Sequence, residues 1–265
     1  MESTDFNNYN LQEGTPEETL LIPLLVKSRE FINSKAIVKD KKAFEIAQQL
    51  RFDAKRFDGG GIAAIGILTR TQLIDKAVSE FIRTNPTGVI INLGVGLDTR
   101  VSRFDNGKLH WYELDLPQVI KLRRRFFSEA DRVKFISSSV TDLKWAEEIN
   151  SKEASNILII AEGLFMYLTE EQIKSVFAYI IKCFPKAHLY FDVVHSYFVE
   201  KSISSHFVWG IDKAEQITEL DKRIRLLEHW SIGDFNKNRQ GLLLRLLNIL
   251  PSTRNRSQIL HVSFE

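Results

Sequence analysis

Two glycines, one arginine and a series of acids stand out in this chain because each falls where a side chain or a bare backbone can meet a ligand. In Asn92-Leu93-Gly94-Val95-Gly96-Leu97-Asp98-Thr99-Arg100, glycines two apart let the backbone turn sharply, and a helix starting after them offers free N–H groups. A tight turn that holds nothing fits the same pattern. A dinucleotide fingerprint would place a third glycine at position 99, where this chain has Thr99, and that weakens an NAD or FAD reading. About 20 residues beyond the first glycine lies Glu113-Leu114-Asp115-Leu116-Pro117, where a carboxylate suits the paired hydroxyls of a ribose; Asp115 is preferred as the residue at the strand end, and a solvated loop acid fits the same position.

Further on, Asp142 followed by Leu143 can bond an exocyclic amine while the leucine packs on a purine face. Asp142 as a helix cap explains the same residues. Glu162 directly follows the apolar run Ile157 to Ala161, so its charge requires a cationic partner. That partner is either a ligand such as a sulfonium with an adjacent ammonium group, or Arg70 in an internal salt bridge. Arg70, within Leu68-Thr69-Arg70-Thr71, carries a planar fork that matches a carboxylate, although a lone helix arginine equally suits a surface. Glycine turn, ribose acid, base-contacting acid and buried glutamate come in the order a nucleoside pocket requires.

The elements that must position these residues are legible from hydrophobic periodicity. Apolar residues recur at helix spacing over Pro16 to Ser34, Lys41 to Leu50 and Ile62 to Ile82. Gly59, Gly60 and Gly61 are expected to interrupt that series with a mobile bend, and Asn85-Pro86-Thr87-Gly88 to close it as a turn. After it come five short apolar stretches, Val89 to Leu93, Leu109 to Leu114, Val133 to Ser137, Ile157 to Ala161 and Leu189 to Val194, separated by amphipathic segments of helix length. Strands alternating with helices imply parallel crossover units and an α/β, doubly wound sheet. Ile224 to Leu227 and Ile259 to Phe264 would bring it to seven strands. The expected division is a helical cap over residues 1–85 and an α/β domain over 86–265, with a lid insertion at about 196–221 that carries Phe198, Phe207 and Trp209, for which ordinary core packing is the alternative.

Composition narrows the partners. The chain has 265 residues, 44% hydrophobic and 26% charged, with 36 Lys+Arg against 34 Asp+Glu, for a formal net charge of +2. That balance argues against nucleic acid or an anionic membrane as the main partner, and it excludes intrinsic disorder. Arg123-Arg124-Arg125 reads as a solvated helix face. A lone cysteine, Cys183, permits neither an intrachain disulfide nor a four-cysteine zinc site, and no metal is expected. The acidic first 18 residues do not suit a targeting peptide, and no apolar run reaches the roughly 20 residues that span a bilayer, so a cytoplasmic location is expected.

The motifs NLGVGLDTR (92–100), WYELDLP (111–117) and AEGLFMYL (161–168), with the helix around Arg70, resemble those of class I S-adenosylmethionine-dependent methyltransferases. Within that class the chain is similar to the leucine carboxyl methyltransferase family and its bacterial branch of tetracenomycin-type carboxyl O-methyltransferases. The likeness extends over nearly the whole chain, with weaker echoes at Asp40, Ala43 and 207–210. It implies S-adenosyl-L-methionine as cofactor: Arg70 on the methionine carboxylate, Gly94 and Gly96 lining it, Glu162 at the methionyl end, Asp115 on the ribose, and Asp142 and Leu143 on the adenine. Tyr167 resembles an acceptor-side catalytic residue. Lys144 stands where the protein-methylating branch has an arginine, and the chain is shorter than that branch, which favours a small-molecule carboxylate such as a polyketide over a protein tail. A phenol acceptor would call for a base, with His195 and His206 as candidates. An NAD-dependent oxidoreductase and a degenerate cofactor-binding protein are the competing readings, and oligomeric state stays open.

Overall fold

The computed structural model describes residues 20–50, 60–150, 156–200 and 207–265. Seven strands form one sheet: β1 (Val89–Leu93), β2 (His110–Asp115), β3 (Val133–Ser137), β4 (Ile157–Ala161), β5 (His188–Val194), β6 (Ile224–Ser231) and β7 (Ser257–Phe264). Their order across the sheet is β3-β2-β1-β4-β5-β7-β6. The first five are parallel to their neighbours, and β7 runs antiparallel between β5 and β6. The doubly wound, mostly parallel sheet expected from the alternating pattern is therefore present. β1 and β4 are buried along their whole length, as central strands covered on both faces are; β4 is apolar throughout and β1 is apolar but for the buried Asn92.

Side chains alternate between two cores with a period of two. Ile91, Leu93, Ile159 and Phe191 face one core, closed by the helix that carries Ile173, Phe177 and Ile180. Ile90, Trp111, Leu158 and Ile160 face the other, together with Leu21, Leu24, Ile46, Ile74 and Val78. The helices, in chain order, are α1 (Leu21–Phe31), α2 (Lys41–Gln49), α3 (Gly60–Thr84), α4 (Arg100–Phe104), α5 (Pro117–Arg123), α6 (Glu170–Cys183), α7 (Ser196–Glu200), α8 (Leu242–Leu247) and α9 (Pro251–Arg254). α6 begins at a capping box in which Thr169 and Gln172 satisfy each other's backbone N–H groups.

Two expectations are decided here. Gly60 and Gly61 do not bend the chain but open α3, while Gly59 lies outside the described residues. The apolar turns from Ile62 to Leu68 sustain the helix against a glycine penalty of about 1 kcal/mol per residue. Trp209, weighed as a lid or an ordinary core residue, is core: it is buried against α6 with Ile211, Ala214 and Ile217. The stretch is tied down by Val208 N donating to Met166 O at 2.8 Å and Ile211 N donating to Val194 O at 2.9 Å. Among the described residues no helix is long and apolar enough to cross a membrane.

Candidate functional site

Because the first five strands are parallel, their carboxyl ends lie along one edge, the edge on which α/β sheets carry their sites. β1 leads there into the glycine turn. Gly94 and Gly96 take left-handed conformations, with φ of +64° and +50°, and a Cβ on Gly94 would stand 2.9 Å from Leu164 Cδ1. Glycine is thus required at 94 by its left-handed conformation, and a side chain there would also make Leu164 move. Asp115, at the end of β2, braces the turn from beside it. One carboxylate oxygen accepts from Gly96 N at 2.6 Å and the other from Leu116 N at 2.7 Å.

Glu162 follows β4 into Gly163, another left-handed residue (φ +70°). Its carboxylate is enclosed by cations. Arg70 Nε donates to Oε1 at 2.9 Å, Thr71 Oγ1 lies 3.3 Å from the same oxygen, and Arg100 Nη2 stands 2.5 Å from Oε2. Arg70 is also held by Asp192 in β5, through Nη1 and Oδ2 at 2.7 Å. Asp192 turns its other oxygen to Gly163 N at 2.5 Å.

The network continues into the helices. Arg100 pairs with Asp98 and, at 2.8 Å, with Asp75 of α3; Arg103 reaches the same Asp75 at 2.5 Å. Asp40 is fully buried, caps α2 by accepting from Ala43 N at 2.9 Å, and receives Thr99 Oγ1 at 2.5 Å and Lys27 Nζ at 3.6 Å. Among the described residues the cluster holds the cations Lys27, Arg70, Arg100 and Arg103 and the carboxylates Asp40, Asp75, Asp98, Glu162 and Asp192. Burial opposes ionisation of Glu162, but the charges of Arg100 and Arg70 prevail and hold its carboxyl below the usual range. At Asp98, likewise, Arg100, Lys27 and Arg103 overcome burial and depress the pKa far below normal. Burial alone would weaken protonation of Arg70, yet Asp192 and Glu162 raise its pKa further. Glu162, Asp98 and Arg70 are therefore charged at neutral pH.

The other expected residues lie around this centre. Asp142 and Leu143 are exposed a few residues beyond the end of β3, and the short helical turn after them starts without a side-chain cap, so Asp142 is not the cap that its position allowed. Lys144, next to them, is exposed. Tyr167 ends the 3₁₀ turn Phe165–Tyr167 after the Gly163 loop, half-buried, with its ring edge-on to Phe207 at 5.4 Å. His195, just past β5, stands 3.2 Å from Asp212 Oδ1. His206 lies outside the described residues. The salt bridge between Arg70 and Glu162, one of the two partners considered for each, is present.

Sequence reasoning passed over Asp192, Arg100, Asp75 and Arg123. Asp192 interrupts the apolar run Leu189 to Val194, the same signal that singled out Glu162. Arg123 corrects the reading of 123–125 as a solvated face, for it is fully buried. Its guanidinium clasps Glu113 at 2.7 and 2.9 Å and donates to the carbonyls of Asp98 and Gly96 at 2.7 and 3.1 Å, while Arg124 and Arg125 are exposed. Glu113 thus supports the glycine turn from behind, which leaves Asp115 as the acid at the strand end.

A family model described as leucine carboxyl methyltransferase matches residues 22–181. The tetracenomycin polyketide synthesis O-methyltransferase TcmP of Streptomyces glaucescens is 26% identical over 226 residues, which cover 82% of this chain and 83% of the relative. The S-adenosyl-L-methionine-dependent methyltransferase dpfgK of Gibberella zeae is 25% identical over 231 residues, covering 76% and 77%. Among solved structures, the N-methyltransferase NodS from Bradyrhizobium japonicum in complex with S-adenosyl-L-homocysteine aligns with a TM-score of 0.49 at 12% identity, covering 91% of this chain and 98% of that one.

Proposed function

The chain belongs to the leucine carboxyl methyltransferase family, and from that premise we propose that it is an S-adenosylmethionine-dependent O-methyltransferase acting on a carboxylate of a small molecule. The observation that carries this reading is the convergence, on one edge of the sheet, of a left-handed glycine turn with Asp115, Glu162 and Arg70.

The donor set fits the cofactor. A glycine turn without side chains suits close approach of a ligand to the backbone. Asp115 accepts from Gly96 N and Leu116 N, which fixes its carboxylate beside that turn. In the charged cluster, five carboxylates face four cations among the described residues. Its carboxylates can receive an ammonium group and its arginines a carboxylate, the two groups that a sulfonium amino acid presents. In this reading Arg70 holds the methionine carboxylate with Gly94 and Gly96 beside it, Glu162 the ammonium end, Asp115 the ribose, and Asp142 and Leu143 the adenine. When bound, S-adenosylmethionine supplies a methyl group on a positively charged sulfur.

What the chain adds is placement and dryness. A carboxylate acceptor of pKa about 4 is ionised at neutral pH and needs no general base. Alignment then does most of the work, and holding two reactants in line can remove roughly 7 to 11 kcal/mol of barrier. Tyr167, packed edge-on against Phe207 above the buried Phe165 and Met166, would orient the acceptor and keep water from it. A second reading, methylation of a phenol or other hydroxyl, is favoured by one observation: His195, at the carboxyl end of β5, lies 3.2 Å from Asp212, as a base with an orienting acid would.

Incubation of small-molecule extracts with the protein and deuteromethyl-labelled S-adenosylmethionine, followed by mass spectrometry, tests both. A labelled product that loses its methyl group in mild alkali is the expected ester. An alkali-stable labelled ether would replace the carboxyl reading with the hydroxyl one, and failure of any acceptor to take label would refute both.

A further inference from the structure

Asp192 lies in the middle of β5 with a side chain almost wholly removed from solvent, where an acid is costly unless its oxygens are fully used. They are used in two directions. Oδ2 takes Arg70 Nη1 at 2.7 Å, across 122 residues of sequence, and Oδ1 takes Gly163 N at 2.5 Å, in the loop that also presents Glu162. Gly163 is left-handed, with φ of +70°, and the guanidinium rests directly on it: a Cβ there would touch both terminal nitrogens of Arg70 at 3.4 Å. One carboxylate therefore fixes the guanidinium and the backbone turn against which it rests.

We propose that Asp192 is the positioning residue of the cofactor site, setting the attitude of Arg70 and the Glu162–Gly163 turn together so that the methionine end meets a preformed pair of opposite charges. This rests on the reading of Arg70 and Glu162 as the groups that hold that end. Neutral replacements cannot reproduce the arrangement. The Oδ1 of an asparagine can accept from Gly163 N or from Arg70, and its amide then turns a donor toward the other donor. A single acid serves both because each of its oxygens only accepts.

The chemistry of a buried ion pair predicts a non-additive response. Asp192→Asn is expected to weaken S-adenosylhomocysteine binding, measured by isothermal titration calorimetry, by at least tenfold in the otherwise native protein. In an Arg70→Met background the same change is expected to weaken it further by less than threefold, because the guanidinium it positions is gone. Equal factors in both backgrounds, or unaltered binding with only a lowered melting temperature, would show a merely structural acid and overturn the proposal.

A second measurement does not depend on the ligand or on the variant folding. In the native protein the Gly163 amide proton, bonded to a carboxylate, is expected at unusually low field in a ¹⁵N-correlated spectrum. An ordinary shift there overturns the clamp. If the native protein binds no S-adenosylhomocysteine while the Gly163 signal stands at low field, it is the cofactor reading that fails, and the proposed role of Asp192 in that site falls with it.

Discussion

Glu162 illustrates how a single residue acquires its character from partners far away in the chain. Four apolar strand residues and Ala161 carry it to the edge of the core, and Arg70 and Arg100 then make the buried carboxylate the favoured form. Its pKa and that of Asp98 lie below their ordinary values of 4.5 and 3.8. A depressed folded-state pKa contributes stability that is fully present above the unfolded value and is lost as pH falls through the folded one. The melting temperature should therefore hold steady above about pH 5 and fall steadily in more acidic buffers. Glu162→Gln leaves two buried arginines short of a counter-charge, at a cost of about 3–5 kcal/mol at neutral pH. The gap between that variant and the native protein should narrow as pH falls below about 4.5, where the unfolded chain takes up the proton before the folded one does. Parallel melting curves across the whole range would contradict this account of Glu162.

At the scale of elements, the glycine turn is held by side chains from both neighbours. Asp115 braces it from β2, and Arg123 reaches back from α5 to the carbonyls of Gly96 and Asp98 while clasping Glu113. Its guanidinium also lies 4.0 Å over the ring of Phe127. Three consecutive arginines thus have different worth. Arg123→Met is expected to destabilise the fold by about 3–5 kcal/mol, since it strands a fully buried carboxylate. Arg124→Ala, which removes an exposed pair with Glu129 at 3.1 Å, should change stability by only about 0–1 kcal/mol. Urea unfolding of the two variants decides it, and equal losses would mean that Arg123 does not carry the turn. The α1–α2 region is attached in a similar way, since Asp40 caps α2 and also takes the hydroxyl of Thr99 at the start of α4. A change at the glycine turn is thereby felt in the helices that precede the sheet.

For the molecule as a whole, the charged cluster joins α1, α2, α3, the glycine turn, the β4 loop and β5, so a ligand that fits it should stiffen all of them together. At a hundred times its dissociation constant, S-adenosylhomocysteine is expected to add about 2.7 kcal/mol and to raise the melting temperature by on the order of 5 °C, with NAD at the same concentration giving no shift. The opposite ranking would favour the oxidoreductase reading. Much of this architecture was legible beforehand. β1, β3 and β4 fall where short apolar stretches put them, β2 and β5 differ by a residue, and Gly94, Gly96, Asp115 and Glu162 stand at element ends that neighbouring residues mark out. Such features depend on contacts within a few positions, through strand periodicity, left-handed turns and helix caps, so the amino-acid order determines them directly. It could not decide that Arg123 is buried while Arg124 is not, that Trp209 belongs to the core, or that Arg70 meets Asp192 across 122 residues. Those outcomes wait on which strand ends the sheet places side by side, because a buried charge takes whichever counter-charge lies within about 3 Å of it, however distant that residue is along the chain.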